Sequence, residues 1–134
     1  MAGGSMTRHD EGSVTAFVMA LLIVFVASAG LAVDGGRLVA SRVELLDHAE
    51  NAARAAVQHV TNLRSGDPQV DVDRARRTAE EYLRVHRVTG SVTSTRESVT
   101  VTVTRDVSLT ILSMIGLSSR SVTVERSATP VPGP

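Results

Sequence analysis

The feature that most constrains this chain is a run of 20 residues without a charge, residues 14–33. A helix rises about 1.5 Å per residue and the hydrocarbon core of a bilayer is about 30 Å thick, so a helix of this length just crosses it. Such a helix is apolar on all sides, and the remaining chain is too short to surround it easily. The run therefore predicts a transmembrane helix, against the alternative of a buried helix in a soluble protein.

The flanks of the run leave two routes of maturation open. A short tail, residues 1–13, ahead of a spanning segment is typical of a signal-anchor. This predicts a cytoplasmic tail and a single-pass protein of the cell membrane whose C-terminal domain lies outside the cytoplasm. The rival is an exported protein with a cleaved signal peptide, because Ala27, Ser28 and Ala29 match a small-residue cleavage site. Cleavage would then fall between Ala29 and Gly30.

Composition and motifs argue against several functional classes. The net charge is zero, with 14 basic and 14 acidic residues, so no global field favours nucleic acid. There is no cysteine, which excludes disulfides, thiolate metal sites and a cysteine nucleophile. The four histidines are not spaced as metal ligands, and the sequence has no nucleophile elbow, P-loop or dinucleotide fingerprint. We expect no enzymatic activity, no cofactor, no metal and no small-molecule substrate.

A helical pattern follows the apolar run over residues 37–63. Asp34, Gly35 and Gly36 separate the two as a polar membrane exit where a helix can bend. Small and aliphatic residues recur at steps of three, four and seven, and this stripe predicts close packing against either the chain's own domain or another subunit. The predicted packing residues are Leu45, Ala49, Ala52, Ala53, Ala56 and Val60.

The rest of the chain turns from helical to strand periodicity. After a turn at residues 64–68, Asp71 or Asp73 caps a second predicted helix over residues 73–87. Valine and threonine then alternate, and the predicted strands cover residues 91–95, 98–105 and 121–128. Residues 107–117 are apolar and fit either a strand or a short helix.

Helices followed by strands predict an α+β domain over residues 34–129. Its small antiparallel sheet would have a covered valine face and a wet threonine face. Residues 130–134 form a proline-rich tail. The predicted architecture is thus a long N-terminal helix, transmembrane and then amphipathic, with a second helix and a small sheet.

Residues 11–58 resemble the TadE/TadG-like proteins of tight-adherence (Flp-type) pilus systems, in the variant common in actinobacterial clusters. The resemblance is most specific in EGSVTAFVMALLIVFVASAGLAVDGG and the alanine-rich ELLDHAENAARAAVQ, and in outline it extends over residues 10–129. It implies a membrane-anchored, minor pilin-like or pilus assembly protein. The implied partners are membrane lipid and other pilin-like or pilus assembly membrane proteins, working with an assembly ATPase.

The resemblance also implies a processing site. Some family members are cut by a prepilin peptidase after a glycine just before the apolar run, a position held here by Gly12, which would leave Ser13 as the new N-terminus. Processed members usually carry glutamate five residues after the cut, where this chain has Phe17. This departure favours an unprocessed accessory protein over a major filament subunit.

A second functional class stays open beside the pilus assembly protein. The chain could be a membrane-anchored or exported extracytoplasmic binding module unrelated to pili. Such a module predicts a monomeric domain with a discrete ligand pocket, whereas the assembly protein predicts a surface that packs against other membrane proteins.

Overall fold

The structure, a computed structural model, describes residues 8–61 and 69–130, which form two α-helices, a three-stranded antiparallel sheet and a two-stranded one. The predicted turn at residues 64–68, residues 1–7 of the predicted tail and residues 131–134 lie outside the described part. The α+β fold class predicted from the sequence is confirmed, with a long apolar N-terminal helix, a second helix and a small antiparallel sheet.

Helix α1, Arg8–Val57, runs without interruption for 50 residues, or about 75 Å. It passes straight through Gly35 and Gly36, so the polar exit does not break it. The helix ends at Val57, earlier than the predicted residue 63. There β1, Val60–Thr61, pairs antiparallel with β2, Gln69–Val70, and the N–H of Asp71 donates to the carbonyl of His59 at 2.9 Å. Two β-branched residues in succession favour this extended backbone over further helix.

Helix α2, Val72–Val85, lies close to the predicted residues 73–87. Asp71 is its N-cap: the side chain accepts a hydrogen bond from the N–H of Arg74 at 3.1 Å, which satisfies one otherwise unpaired donor of the first turn. The helix buries Ala75, Ala79 and Leu83 along one face and presents charged side chains on the other.

The main sheet is a meander of β3, Thr89–Ser94, β4, Val99–Ser108, and β5, Ser119–Ala128. In β4, alternate valines are fully buried, while the threonines between them face the other side. On that outer face Thr104 and Thr123 share a hydrogen bond at 2.9 Å. Strand β4 begins one residue after the predicted 98 and ends three residues after the predicted 105. Strand β5 begins two residues before the predicted 121 and ends at the predicted 128, and β3 covers residues 89–94 instead of the predicted 91–95.

Residues 107–117 are neither a continuous strand nor an α-helix. Strand β4 continues to Ser108, and the β4–β5 loop (residues 109–118) then contains a single 3₁₀ turn, Leu112–Ile115. Gly116 ends this turn with φ 93°, a conformation that glycine adopts without steric cost.

The core lies between the C-terminal half of α1, helix α2 and the valine face of the sheet. Its fully buried residues are small or aliphatic, and the one tyrosine, Tyr82, is only partly buried at its edge. The buried set is Leu45, Ala49, Ala52, Ala53, Ala56, Val70, Ala75, Ala79, Leu83, Val88, Val99, Val101, Val103 and Val124. Helix α1 therefore forms the apolar N-terminal extension with its first half and contributes to the core of the domain with its second half.

Candidate functional site at the apolar helix and its junction with the domain

The N-terminal half of α1 extends away from the rest of the chain. Every residue from 12 to 29 is exposed, including Phe17 at 67 % and Phe25 at 73 %. Among the described residues, α1 is the one helix long and apolar enough to cross a membrane. The polar Ser28 donates from its hydroxyl to the carbonyl of Val24 at 2.8 Å, so its hydroxyl donor is satisfied within the helix. Such a surface is suited to a hydrocarbon environment.

Asp34, the first charged residue after the apolar run, is a buried junction and not only a polar exit. Its side chain is fully buried. One carboxylate oxygen accepts the backbone N–H of Thr110 at 3.0 Å, and the other accepts those of Ile111 and Leu112 at 2.9 and 2.8 Å. Hydrogen bonds to an ionised acceptor are the stronger class. A single carboxylate therefore holds the β4–β5 loop against α1.

These hydrogen bonds also fix the charge state of Asp34. The N–H of Leu112 is the largest cause that lowers the pKa of the carboxyl below its ordinary value; burial acts in the opposite direction, and the other two N–H groups and Arg37 add to the lowering. Arg37 lies 3.8 Å from the carboxylate and donates a hydrogen bond to the Thr110 hydroxyl. Asp34 is thus ionised at neutral pH and contacts both the β4–β5 loop and Arg37 of its own helix.

The loop also touches α1 one turn nearer the N-terminus, at Gly30. Gly30 is buried, and a Cβ atom placed on it would lie 3.2 Å from the Cβ of Ile111 and closer still to that residue's Cγ2. Any larger residue at position 30 would push Ile111 away. The glycine therefore permits the loop to lie directly on the helix, within the apolar run.

The predicted packing stripe faces the chain's own domain. Leu45, Ala49, Ala52, Ala53 and Ala56 are between 0 and 1 % exposed, in contact with α2 and the valine face of the sheet. Val60 falls in β1, and its side chain lies outside the described residues. The sequence leaves open whether the stripe packs against the chain's own domain or another subunit, and in the structure it packs against the chain's own domain. These five side chains therefore have no surface left for another subunit.

A different side of the same half of α1 is open. Val39 and Val43 are 64 and 54 % exposed and lie four residues apart, on one face. Beside them, Glu44 forms an ion pair with Arg105 of β4 at 2.6 Å, and the hydrogen bond from Arg105 lowers the pKa of Glu44. The sequence analysis did not identify this apolar face, because Val39 and Val43 are not members of the stripe of small and aliphatic residues that the helical pattern predicts to be packed.

The predicted processing positions both lie within α1. Gly12 and Ser13 are exposed near its beginning, and Ala29 is exposed, whereas Gly30 is covered by the loop. Their processing stays a prediction, for the prepilin-type cut and for the signal-peptide cut alike.

Within residues 8–61 and 69–130, no group of three acidic or histidine side chains is placed to hold a metal ion. The rings of His48 and His86 lie 5.5 Å apart, and that of Tyr82 stacks on His86 at 4.0 Å.

A cleft of about 750 Å³ separates the C-terminal end of α1 from the end of β5, but two of its charged lining residues, Glu50 and Arg54, already pair with each other.

Sequence reasoning did not assign Asp34 its partners. A signal was nonetheless present, because residues 107–119 form a second uncharged stretch, flanked by Asp106 and Arg120. Backbone N–H groups in an apolar setting have no water to bond and need an acceptor from the protein. The aspartate that ends the first uncharged stretch can supply such an acceptor to the second, which favours contact between the two.

Comparison with known proteins supports the predicted resemblance. The model of the family described as Flp pilus-assembly TadE/G-like matches residues 12–59. The match covers the apolar half of α1, the Asp34 junction and the buried alanine stripe. No curated protein and no solved structure matches the chain.

Proposed function

We propose that this chain is a membrane-anchored, minor pilin-like protein of a tight-adherence type pilus assembly system, and that it acts by helix packing. Residues 14–33 span the cell membrane once, and the α+β domain lies outside the cytoplasm. Its role is structural and not enzymatic, as is general for TadE-like pilus-assembly proteins. Its partners are lipid and other pilin-like or pilus assembly membrane proteins.

The observation that carries this proposal is the division of one continuous helix into two halves. The N-terminal half of α1 is apolar and exposed, and the C-terminal half is the centre of the domain's core. A rigid helix shared between bilayer and domain transmits the position of the membrane segment directly to the domain. This suits a protein that has to be packed in a fixed orientation beside other membrane helices.

The proposed partner surface is the open face of α1 around Val39 and Val43, together with the lipid-facing side chains below it. The alanine stripe cannot serve, since the chain's own domain covers it. The glycines at positions 35 and 36 have nothing within 4 Å of an added Cβ, so a partner helix could approach closely there.

A site-specific crosslinking experiment in the native membrane tests this function. A photo-reactive amino acid at Val43 is expected to crosslink the full chain to a component of the pilus machinery. The matched control places the same amino acid at Thr93, an exposed residue of β3 on the outer face of the sheet, where no such product is expected. Deleting the gene should abolish assembled pili, and the wild-type chain should restore them.

Two outcomes would contradict the proposal. Normal piliation after deletion would remove the assembly role. A chain that is recovered from cells in the soluble fraction with residues 14–33 intact would remove the membrane anchor, and with it the orientation proposed for the domain.

A further inference from the structure

The β4–β5 loop exposes apolar side chains that nothing in the described chain covers. Met114 is 82 % exposed, Ile115 is 73 % exposed and Leu117 is 53 % exposed. They belong to the uncharged stretch of residues 107–119, which has 13 members. A cluster of large, exposed apolar side chains on a folded domain marks a surface that contacts a partner or a membrane.

The position of the loop indicates what it contacts. Ile111 packs on Gly30, inside the apolar run, while Asp34 binds the same loop at the end of that run. At about 1.5 Å per residue, Gly30 lies about 6 Å nearer the bilayer centre than Asp34. A bilayer that surrounds residues 14–33 therefore reaches the level at which the loop touches the helix.

Most of the backbone N–H groups of the loop are hydrogen-bonded to the protein itself and do not depend on water. Asp34 accepts the N–H groups of Thr110, Ile111 and Leu112. Four more donors, of Leu109, Met114, Gly116 and Leu117, bond to carbonyls within the loop at 2.9–3.1 Å. Irregular backbone enters the apolar part of a membrane only when its polar groups are satisfied by the protein itself.

We infer that the β4–β5 loop is a second membrane contact, in which Met114, Ile115 and Leu117 insert between lipid acyl chains beside α1. Lipid is the occupant because the exposed cluster belongs to the same loop as Ile111, which lies on Gly30 within the exposed apolar run of α1. The charged residues Asp106 and Arg120 flank the loop and remain at the headgroup level. The inference rests on the proposed function in taking residues 14–33 as membrane-spanning.

A loop inserted beside the helix attaches the domain to the bilayer at two points. One point alone would let the domain rotate with α1 about the helix axis. With both, the open face around Val39 and Val43 points in one direction along the membrane plane. A partner helix in the same membrane then meets that face without a search over orientations, which lowers the entropic cost of association.

Tryptophan fluorescence in vesicles tests the inference, since the chain has no native tryptophan. The full chain is reconstituted in phosphatidylethanolamine–phosphatidylglycerol vesicles, with and without brominated acyl chains that quench tryptophan by contact. Ile115→Trp reports on the loop, Phe25→Trp on the spanning helix and Thr93→Trp on the sheet. Thr93 pairs with Thr100, eight residues before the loop end of β4, or about 27 Å away at 3.4 Å per residue.

The expected result is that Ile115→Trp and Phe25→Trp are blue-shifted and lose most of their intensity to the brominated lipid, while Thr93→Trp is unchanged. Quenching of Phe25→Trp without quenching of Ile115→Trp would overturn the inference and leave the anchor intact. A blue-shifted but unquenched Ile115→Trp would also overturn it, because protein and not lipid would then cover the loop. Failure to quench Phe25→Trp would instead contradict the proposed function.

Discussion

The backbone N–H of Leu112 donates to the carboxylate of Asp34 over 2.8 Å, although 78 positions of sequence separate the two residues. The same carboxylate accepts the N–H groups of Thr110 and Ile111. One buried side chain thus joins the far end of the sheet to α1 at the residue where the apolar run ends. The domain is held to this helix both through its core and through this junction.

Replacing Asp34 by asparagine is expected to release the β4–β5 loop. The amide keeps one acceptor oxygen, has no charge and turns an NH₂ group toward backbone donors that now lack a partner. Hydrogen exchange of the full chain in detergent micelles should show the amides of residues 110–112 exchanging markedly faster, together with a lower thermal midpoint. The faster exchange should be confined to the loop under conditions in which the domain stays folded, because the alanine-lined core does not include Asp34.

The matched control for this change is Asp47→Asn, at an exposed position on the same helix. It removes the same charge from α1 without touching the loop, so exchange at residues 110–112 should stay as in the wild-type chain. Equal protection in Asp34→Asn and wild type would mean that the carboxylate does not hold the loop.

Gly30→Ala tests the contact between the loop and the apolar run. The new Cβ would overlap Ile111, so we expect a loss of about 1–3 kcal/mol in the free energy of unfolding, typical of overpacking. Ile111→Ala in the same chain should restore part of that loss, which makes the two substitutions non-additive in a double-mutant cycle. Denaturant unfolding monitored by circular dichroism in micelles measures all four free energies.

Gly36→Ala is the control, since nothing lies within 4 Å of a Cβ added there. Alanine is the better helix former by about 0.5–1 kcal/mol, so this change should be neutral or stabilising. Additive losses in the cycle of Gly30 and Ile111, or equal effects at positions 30 and 36, would contradict the close approach.

Much of this fold follows from local patterns. The apolar run, the amphipathic face of α2 and the valine–threonine alternation of β4 each reflect one element and its immediate burial, so composition and period were enough to predict them. The sequence likewise predicts Asp71 or Asp73 as the N-cap of α2, and in the structure Asp71 has the cap geometry. Local patterns do not predict a feature that depends on contact between two segments distant in the sequence.

The β4–β5 loop and the alanine stripe illustrate the difference. The loop's conformation depends on Asp34, more than seventy positions away, so its own apolar sequence fits a strand and a short helix equally. The stripe predicts burial of Ala52 and its neighbours but carries no information on which surface covers them. The end of α1 at Val57 depends in the same way on the pairing of β1 with β2.

The Glu44–Arg105 ion pair gives the domain a defined response to acid. Because the hydrogen bond from Arg105 holds the pKa of Glu44 below its ordinary value of 4.5, the pair stabilises the fold above that pH, and the contribution disappears as pH falls through the lowered pKa. Both side chains are partly exposed, so the contribution should not exceed about 1 kcal/mol. Denaturant unfolding from neutral pH to about pH 3 should show a shallower decline for Glu44→Gln than for wild type.

Glu97→Gln provides the comparison for that experiment, since none of the described ion pairs involves this exposed carboxylate of the β3–β4 turn. Its decline with acid should match the wild type. A Glu44→Gln variant with the full wild-type decline would place the acid response elsewhere, with Asp34 as the first residue to test because its pKa is lowered as well.

Ala52→Asp separates the two roles that the alanine stripe could have. Ala52 of α1 is fully buried in the core that this helix forms with α2 and the sheet. An aspartate there would be an unpaired buried charge, which costs on the order of 3–5 kcal/mol and is expected to unfold the domain. Asn51→Asp, at the exposed neighbouring position, should stay within about 0.5 kcal/mol of wild type. Circular dichroism and protease resistance of the chains in micelles measure the difference. A folded Ala52→Asp chain that only fails to associate with its partners would show that the stripe faces another subunit after all, because a charge at a subunit interface breaks association and leaves the fold intact.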